Sequence, residues 1–424
     1  MRVASQVFQN VLLFLLMVIV LTGSTMGPGD ASEGARRYTR TLGFDYVSWT
    51  ADALLLKLSQ ASLSLPRYLS VEQQRTVIKN YLKLVQQIDD AEYNIELIYA
   101  DPKVNDKNTA LKPWQEKLGG LRDQRSRLGP AAEEIMQRMV STVLDGFSLS
   151  VGGQPLPPVL YHITPLPYAL IISPRNVIQQ ENNISLDPNL TLDQMVKLEK
   201  QVEAGMNVSA LVTPIGGIAT YPTMVMSTSD LPYLSDTVAH EWTHNYLTLR
   251  PLGLNYFING QTRTMNETVA NIVGKEVGQE LLRLYFPENL PKPTPPPSPS
   301  PTPSANPAPS PTPETPRFSY NKEMRITRVT ADALLKDGKI DEAEAYMESR
   351  RKFFWDNGYL IRRLNQAFFA FNGAYADSEG GGAAGADPVG PAVVKMRKQS
   401  ASLADFLNRM AQMTSFADLQ KALQ

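Results

Sequence analysis

Two of the chain's three histidines stand four residues apart in the stretch SDTVAHEWTHNYL (235–247). Residues four apart lie on one face of a helix, so His240 and His244 can present ring nitrogens to a single metal ion. Glu241 lies about 100° round the helix axis, where its carboxylate can reach a metal-held water without binding the metal. In zinc hydrolases the metal acidifies that water and a carboxylate removes its proton. The spacing therefore predicts a zinc site with Glu241 as general base.

A catalytic zinc ion needs a third protein ligand, and a second helical pattern supplies a candidate. In TMNETVANIVGKEVGQELLRLYF (264–286), Glu267 shares a strip with Ala270, Asn271 and Gly274, apart from the apolar side. A carboxylate on a strip of small residues can approach another helix closely. The predicted ligand set is therefore His240, His244 and Glu267, with Zn²⁺ as the cofactor.

The two motifs together resemble a known family. HEWTH followed by NETVA is similar to the gluzincin zinc metallopeptidases, whose signature is HExxH plus a downstream Asn-Glu-x-x-Ala/Ser. The motif resemblance covers roughly residues 210–286. The wider layout, with a tail containing LNQAFFAFNGAYAD, is similar to predicted bacterial membrane-associated aminopeptidases. The resemblance implies a zincin-like catalytic core in which His240, His244 and Glu267 bind zinc and Glu241 is the base.

The resemblance also implies residues around the ligands. In the thermolysin-like branch, an aspartate four residues after the ligand glutamate orients a ligand histidine, and Asn271 occupies that position here. An amide oxygen accepts the histidine N–H more weakly than a carboxylate does. Asn266 and Asn271 are the candidates for contacts behind the ligands.

The substrate cleft is expected beside an edge strand that precedes the HExxH helix in this family. ALVTPIGGIATYPTMVM (210–226) is placed for that role, and Gly216 and Gly217 would let a peptide approach closely. An ordinary core strand with a glycine bend is the alternative. The tetrahedral intermediate also needs a donor, for which the candidates are Tyr221, Tyr256, Tyr375 and, with a position better suited to packing, Tyr246.

Composition limits the remaining function classes. The 424 residues suffice for two to three domains, and 41 basic residues balance 42 acidic ones. This balance gives no basic patch for nucleic acid. The absence of cysteine excludes disulfides, zinc ribbons and thiol catalysis. The third histidine, His162 in YHITP, is expected to be structural rather than a ligand.

The N-terminus predicts export or membrane attachment. VLLFLLMVIVLTG (11–23) is an uninterrupted apolar run, about as long as a signal-peptide core and short of the roughly 20 residues of a membrane span. Residues 1–30 are therefore expected to be a signal peptide or membrane anchor, with an extracytoplasmic location. A buried core helix is the alternative.

The rest of the chain divides by composition. We expect a helical region (38–150), a metallopeptidase core with short strands (151–290), a Pro-rich linker or insertion (291–316) and a helical C-terminal region that completes the catalytic domain (317–424). The HExxH helix should start at Ser235 or Asp236 and stop at Arg250–Pro251. The predicted fold class is α+β, predominantly helical, with a small mixed sheet.

Three functions agree with these patterns to different degrees. The first is a zinc peptidase acting on a peptide or protein substrate, as an aminopeptidase or an endopeptidase. The second is a catalytically inactive envelope scaffold or binding protein on a peptidase fold. The third, a chance HExxH in a structural protein, predicts that Glu267 lies far from the histidines.

Overall fold

The computed structural model describes residues 31–63, 65–100, 104, 106–290, 318–376 and 382–424. The predicted signal peptide or anchor (1–30) and the predicted Pro-rich segment (291–316) lie outside these described residues. Within the described part, no helix has the length and apolar character needed to cross a membrane.

Helices make up most of the described chain. Those before the first strand are α1 (Ala31–Thr39), α2 (Tyr46–Leu63), α3 (Val71–Ala100) and α4 (Lys107–Gly146). Those of the middle part are α5 (Leu192–Met206), α6 (Leu231–Leu247), α7 (Pro251–Leu254) and α8 (Gly260–Tyr285). Those after the Pro-rich segment are α9 (Tyr320–Lys336), α10 (Ile340–Asp356), α11 (Gln366–Asn372), α12 (Val389–Gln399), α13 (Leu403–Ala411) and α14 (Phe416–Ala422).

The strands are short and form three small sheets. They are β1 (Ser150–Val151), β2 (Gln154–Pro155), β3 (Tyr161–Ile163), β4 (Tyr168–Pro174), β5 (Asn182–Leu186), β6 (Val208–Thr213), β7 (Gly217–Ile218) and β8 (Thr223–Val225). β1 and β2 form a hairpin, and β5-β4-β6 is antiparallel. The third sheet, β3-β8-β7, is mixed, because β3 runs parallel to β8 and β7 runs antiparallel to it. The predicted class, α+β and predominantly helical, is confirmed.

The largest apolar core surrounds α6 and α8. Val238 and Trp242 of α6 are buried there with Val269 and Val273 of α8, together with residues of α3, α4, α12, α13 and α14. Leu247, the last residue of α6, is also fully buried. Close packing in such a core leaves side chains few alternative positions, so it holds the helices that carry the HExxH and NETVA motifs.

Helix α6 starts about one and a half turns earlier than predicted. Its N-cap is Asp230, whose carboxylate accepts a hydrogen bond from the Tyr233 amide at 3.0 Å, and Pro232 lies in its first turn. Ser235 is already inside the helix and donates to the Leu231 carbonyl at 3.0 Å. The amides of a first helical turn have no partner within the helix, so Pro232 costs α6 no hydrogen bond. The residues before Ser235 can therefore be helical too. The predicted stop before Arg250–Pro251 is confirmed, since α6 ends at Leu247.

The chain beyond the Pro-rich segment returns to the antiparallel sheet. The Asn365 side chain donates to the Ala210 carbonyl at 3.0 Å, and the Ala367 amide donates to the Ser209 hydroxyl at 3.2 Å. Ala367 is buried against β4 and β6. This contact anchors α11 and the residues that follow it next to α6.

Candidate metal centre

Three potential ligand atoms converge between α6 and α8. The Nε2 atoms of His240 and His244 lie 3.0 Å apart. Oε2 of Glu267 lies 3.6 Å from the first and 3.5 Å from the second. His240, His244 and Glu267 form the only group of this kind among the described residues that could hold a metal ion.

Glycines on α8 permit this close approach. A Cβ at Gly274 would lie 2.8 Å from the Asp236 carbonyl oxygen and 3.1 Å from Cβ of His240. A Cβ at Gly278 would overlap the Asp236 carboxylate. The strip of small residues predicted around Glu267 therefore faces α6, which is why a glutamate side chain reaches both histidines.

The two oxygens of Glu267 have different surroundings. Oε1 accepts a hydrogen bond from the Tyr256 hydroxyl. Oε2 is buried and has no hydrogen-bond partner among the described residues. A buried carboxylate oxygen without a partner is costly, and a bound cation removes that cost. The oxygen that lacks a partner is also the one that faces the histidines.

Asn266 contacts the ligand histidine from behind. Its Oδ1 lies 2.7 Å from Nδ1 of His244. An Nδ1–H donated to this amide oxygen leaves the lone pair of Nε2 facing Glu267, which is the tautomer that a metal ligand requires. The resemblance implies that Asn271 orients a ligand histidine. Asn271 lines the neighbouring cleft, and the residue that contacts His244 is Asn266.

The distances suit a tetrahedral ion with nitrogen and oxygen ligands. Zinc binds histidine nitrogen and carboxylate oxygen at about 2.0–2.1 Å, which separates tetrahedral ligand atoms by about 3.3–3.4 Å. The three observed separations, 3.0, 3.5 and 3.6 Å, lie on either side of that value. The donor set therefore fits a zinc ion held by three protein ligands.

The buried side chains of the site shift one another's pKa values. Burial would raise the pKa of Glu267, but His244, His240 and Arg263 hold it well below its usual range. Burial would lower the pKa of His244, whereas Glu267 and Glu241 raise it to about 9. Burial raises the pKa of Glu241. The centre is thus a buried cluster in which Glu267 is ionised.

Glu241 lies against the edge strand β7. A Cβ at Gly217 would clash with the Glu241 carboxylate, and one at Gly216 would overlap the Tyr233 hydroxyl. β7 is an edge strand, since it pairs with β8 on one side and with no other described strand. Of the two predicted cleft glycines, Gly217 therefore lies beside the general-base candidate Glu241, and Gly216 lies beside Tyr233.

A cleft of about 720 Å³ opens over the three ligands. Gly216, Gly217 and Tyr256 line it as predicted, and so does Tyr375, whose ring centroid lies 6.4 Å from that of His240. Tyr221 does not line it. Its hydroxyl donates to the Pro158 carbonyl at 3.2 Å instead. The prediction that Tyr221 lines the cleft is therefore wrong.

Sequence reasoning did not single out Arg263. Its guanidinium is buried at the cleft wall and donates to the Ala370 carbonyl at 2.8 Å, while Nε has no hydrogen-bond partner in the described part of the chain. Burial would lower the pKa of Arg263, but nearby Tyr256 and Glu267 raise it above its ordinary value. Its position four residues before Glu267, on the same helix face, is a signal that could have identified it.

His162 is structural, as predicted. Its Nδ1 lies 2.9 Å from Oε1 of Glu133. It does not belong to the group formed by His240, His244 and Glu267. The same oxygen accepts a hydrogen bond from the Ile163 amide at 2.8 Å.

Comparisons with known proteins add no relative: no family model, no curated protein and no solved structure matches the chain.

Proposed function

We propose that the chain is a zinc-dependent peptidase of the gluzincin type, exported or held at a membrane, with Glu241 as the general base. The observation that carries the proposal is the Oε2 atom of Glu267. It is buried without a hydrogen-bond partner among the described residues, 3.5 and 3.6 Å from two histidine nitrogens. A chance HExxH helix gives no reason for a glutamate from another helix to lie there.

His240, His244 and Glu267 would hold the metal. Bound zinc would lower the pKa of a water molecule and polarise the carbonyl of the scissile bond. The protein keeps the ligands in place from behind, through the Asn266 amide on His244 and the Tyr256 hydroxyl on Glu267. Such contacts fix the orientation of the ligands.

Glu241 would take up the proton of the attacking water and pass it to the leaving amine. It belongs to α6, next to the ligand His240, and its carboxylate is turned toward β7 rather than into the ligand group. A carboxylate that is beside the metal and also beside the substrate strand can serve both transfers.

The substrate would extend along the free edge of β7. A peptide in extended form can pair its backbone with such an edge, and Gly217 leaves room there for the Glu241 carboxylate. Tyr375 is the best-placed donor for the oxyanion, because Tyr256 already donates its hydroxyl hydrogen to Glu267. The extended peptide would thus lie between β7 and the residues that follow α11.

A catalytically inactive binding protein on the same scaffold is the competing proposal, and turnover separates the two. The full-length chain would be purified as wild type, Glu241→Gln and Glu267→Gln, with Glu280→Gln, which pairs with Arg283 on the surface of α8, as the matched control. Zinc content would be measured by mass spectrometry, and cleavage with aminoacyl reporters and casein.

We expect about one zinc per chain in wild type, in Glu241→Gln and in the control. Glu241→Gln should lose about 10²–10⁴-fold in turnover, and Glu267→Gln should lose the metal as well. Zinc in wild type and Glu241→Gln without cleavage by either would favour the inactive scaffold. Wild type without zinc would refute the metal site.

A further inference from the structure

Helix α2 buries two polar side chains against the protein and exposes several apolar ones to the outside. Lys57 and Gln60 are only 5% and 4% exposed, whereas Leu55 and Leu58 are 66% and 68% exposed. The outward side also carries Val47 and Leu54, which are 83% and 40% exposed. Val47, Leu54 and Leu58 are separated by seven and four residues, so they form one continuous stripe, the leucine face of α2.

Buried polar contacts hold the helix in this orientation. Nζ of Lys57 lies 2.5 Å from Oε2 of Glu133 on α4, and Nε2 of Gln60 donates to the same oxygen at 3.2 Å. The other Glu133 oxygen contacts His162 and the Ile163 amide, so the carboxylate is bonded on both sides. Turning the leucines inward would leave Glu133 buried without its cation, which is strongly unfavourable. The leucine face therefore stays outside.

We infer that the leucine face of α2 lies on the surface of an anionic lipid bilayer. An exposed apolar stripe of this size on one helix marks an interaction surface. A helix with an apolar side of leucines lies in a membrane interface with that side among the acyl chains. Tyr68 and Val71, just beyond α2, are 80% and 54% exposed and continue the apolar exposure along the chain.

The order of the chain selects lipid as the occupant. The apolar run at 11–23 ends seven residues before α1 begins, and seven residues span at most about 25 Å. Wherever a membrane holds that run, α1 and α2 are kept close to the same surface. A second copy of the chain or a soluble partner has no comparable tether.

Charge selects an anionic surface. Four arginines in this stretch are exposed, at positions 36, 37, 40 and 67. Against them stand two exposed aspartates, Asp45 and Asp52, and Asp45 is engaged by the amides of Val47 and Ser48 at the start of α2. Arg36 pairs with Glu33 at 2.9 Å, which leaves Arg37, Arg40 and Arg67 for anionic headgroups. Exposed cations in the same segment as an apolar surface strengthen binding to such headgroups. The choice of lipid rests on the membrane attachment included in the proposed function, but not on peptidase activity.

The absence of cysteine makes the test direct, because a single introduced cysteine reports one position. Full-length Leu55→Cys and Leu58→Cys would be labelled with a polarity-sensitive fluorophore. Glu116→Cys is the matched control, exposed on α4 and about 25 Å along that helix from Glu133. Each protein would be reconstituted with vesicles of phosphatidylcholine, with or without phosphatidylglycerol, that contain nitroxide-labelled lipid. Circular dichroism would verify the fold of each variant.

We expect quenching by the labelled lipid to be at least about threefold stronger at positions 55 and 58 than at 116, and stronger with phosphatidylglycerol than without it. Equal quenching at the three positions would overturn the inference. Protection of positions 55 and 58 from aqueous iodide in vesicle-free protein would also overturn it. A dimer mass would then identify a second copy as the cover, and a monomer mass the chain's own N-terminal segment.

Discussion

At the scale of single residues, Tyr256 occupies one oxygen of Glu267 and leaves the other facing the two histidines. Its hydroxyl donates to Oε1, so the carboxylate cannot rotate freely between the two histidines. Residues that orient a ligand in this way change metal affinity without binding the metal themselves. Tyr256 therefore belongs to the metal site although it is distant from the HExxH motif in sequence.

We predict that Tyr256→Phe lowers zinc affinity by about 10–100-fold, because Glu267 loses its orienting hydrogen bond. Competition with a fluorescent zinc chelator measures the effect. Tyr246→Phe is the control, since its hydroxyl contacts Oδ1 of Asn408 at 2.7 Å, away from the ligands. Equal affinities for the wild type and Tyr256→Phe would show that the contact does not support the metal.

Tyr375 and Tyr221 allow a direct comparison of two hydroxyls. Under the proposed function, Tyr375→Phe should lower turnover by about 10²–10³-fold with zinc content unchanged, because the oxyanion loses a donor. Tyr221→Phe should leave turnover unchanged, since its hydroxyl contacts the Pro158 carbonyl outside the cleft. Steady-state kinetics on the responsive reporter decides. A loss of turnover in Tyr221→Phe but not in Tyr375→Phe would show that Tyr221, rather than Tyr375, is the oxyanion donor.

At the scale of elements, the contact between α6 and α8 sets the geometry of the centre. Gly274 faces the backbone of α6 at Asp236 and His240, and α8 carries Glu267 two turns away on the same side. Helices whose backbones approach this closely need glycine at the point of contact. Any side chain there displaces Glu267 from the histidines together with the helix.

Gly274→Ala is predicted to lower the free energy of unfolding by about 1–3 kcal/mol, because the new methyl group overpacks the contact. Zinc affinity should fall with it. Gly119→Ala on α4 is the control: a Cβ there meets no atom within 4 Å. In a helix interior that change should stabilise by about 0.5–1 kcal/mol. Urea unfolding and zinc titration test both variants, and an unaffected Gly274→Ala would refute the close contact.

At the scale of the whole molecule, Glu199 joins the C-terminal region to the middle of the chain. Its carboxylate is fully buried and accepts hydrogen bonds from the Val212 amide at 2.7 Å, from Arg362 at 2.5 and 2.7 Å, and from Arg363 at 2.9 Å. The two arginines lie between α10 and α11, just before the helix that leads to Tyr375. The ion cluster thus holds in place the segment that completes the cleft.

We expect Glu199→Gln to destabilise the fold by about 3 kcal/mol, because two arginines lose a buried partner. Glu348→Gln, which removes a surface pair with Arg351, should cost no more than about 1 kcal/mol. Denaturant unfolding at neutral pH measures both changes. Equal losses of unfolding free energy in the two variants would show that the Glu199 cluster stabilises the fold no more than a surface ion pair does.

The same residue predicts a pH dependence. Burial would raise the pKa of Glu199, but Arg362, the Val212 amide and Arg363 hold it below its ordinary value in the folded chain. A carboxylate with a lowered folded pKa contributes stability above its unfolded pKa and loses it as the pH falls through the folded value. The difference in unfolding free energy between wild type and Glu199→Gln should therefore shrink in acid. A difference that stays constant would contradict this assignment.

The sequence by itself determined those parts of the site that depend on local spacing. His240 and His244 share a face because they are four residues apart on a helix, and Glu267 reaches them because its own strip is made of small residues. The start of α6 was predicted wrongly, at Ser235 or Asp236, although the local signals for the true start are present: Asp230 is a capping residue and Pro232 a first-turn proline. Periodicity and capping operate within a few residues, so one sequence contains them.

Only the tertiary structure decided the contacts between distant segments. The position of Tyr375 in the cleft and of Tyr221 outside it depends on how distant segments pack beside α6. The same is true of the contact of Asn266 with His244 and of the burial of Arg263. The outward leucines of α2 depend on a buried partner for Lys57 that is supplied by Glu133, on α4. A helical pattern shows that two sides differ, but the partner that each side meets is set by long-range packing.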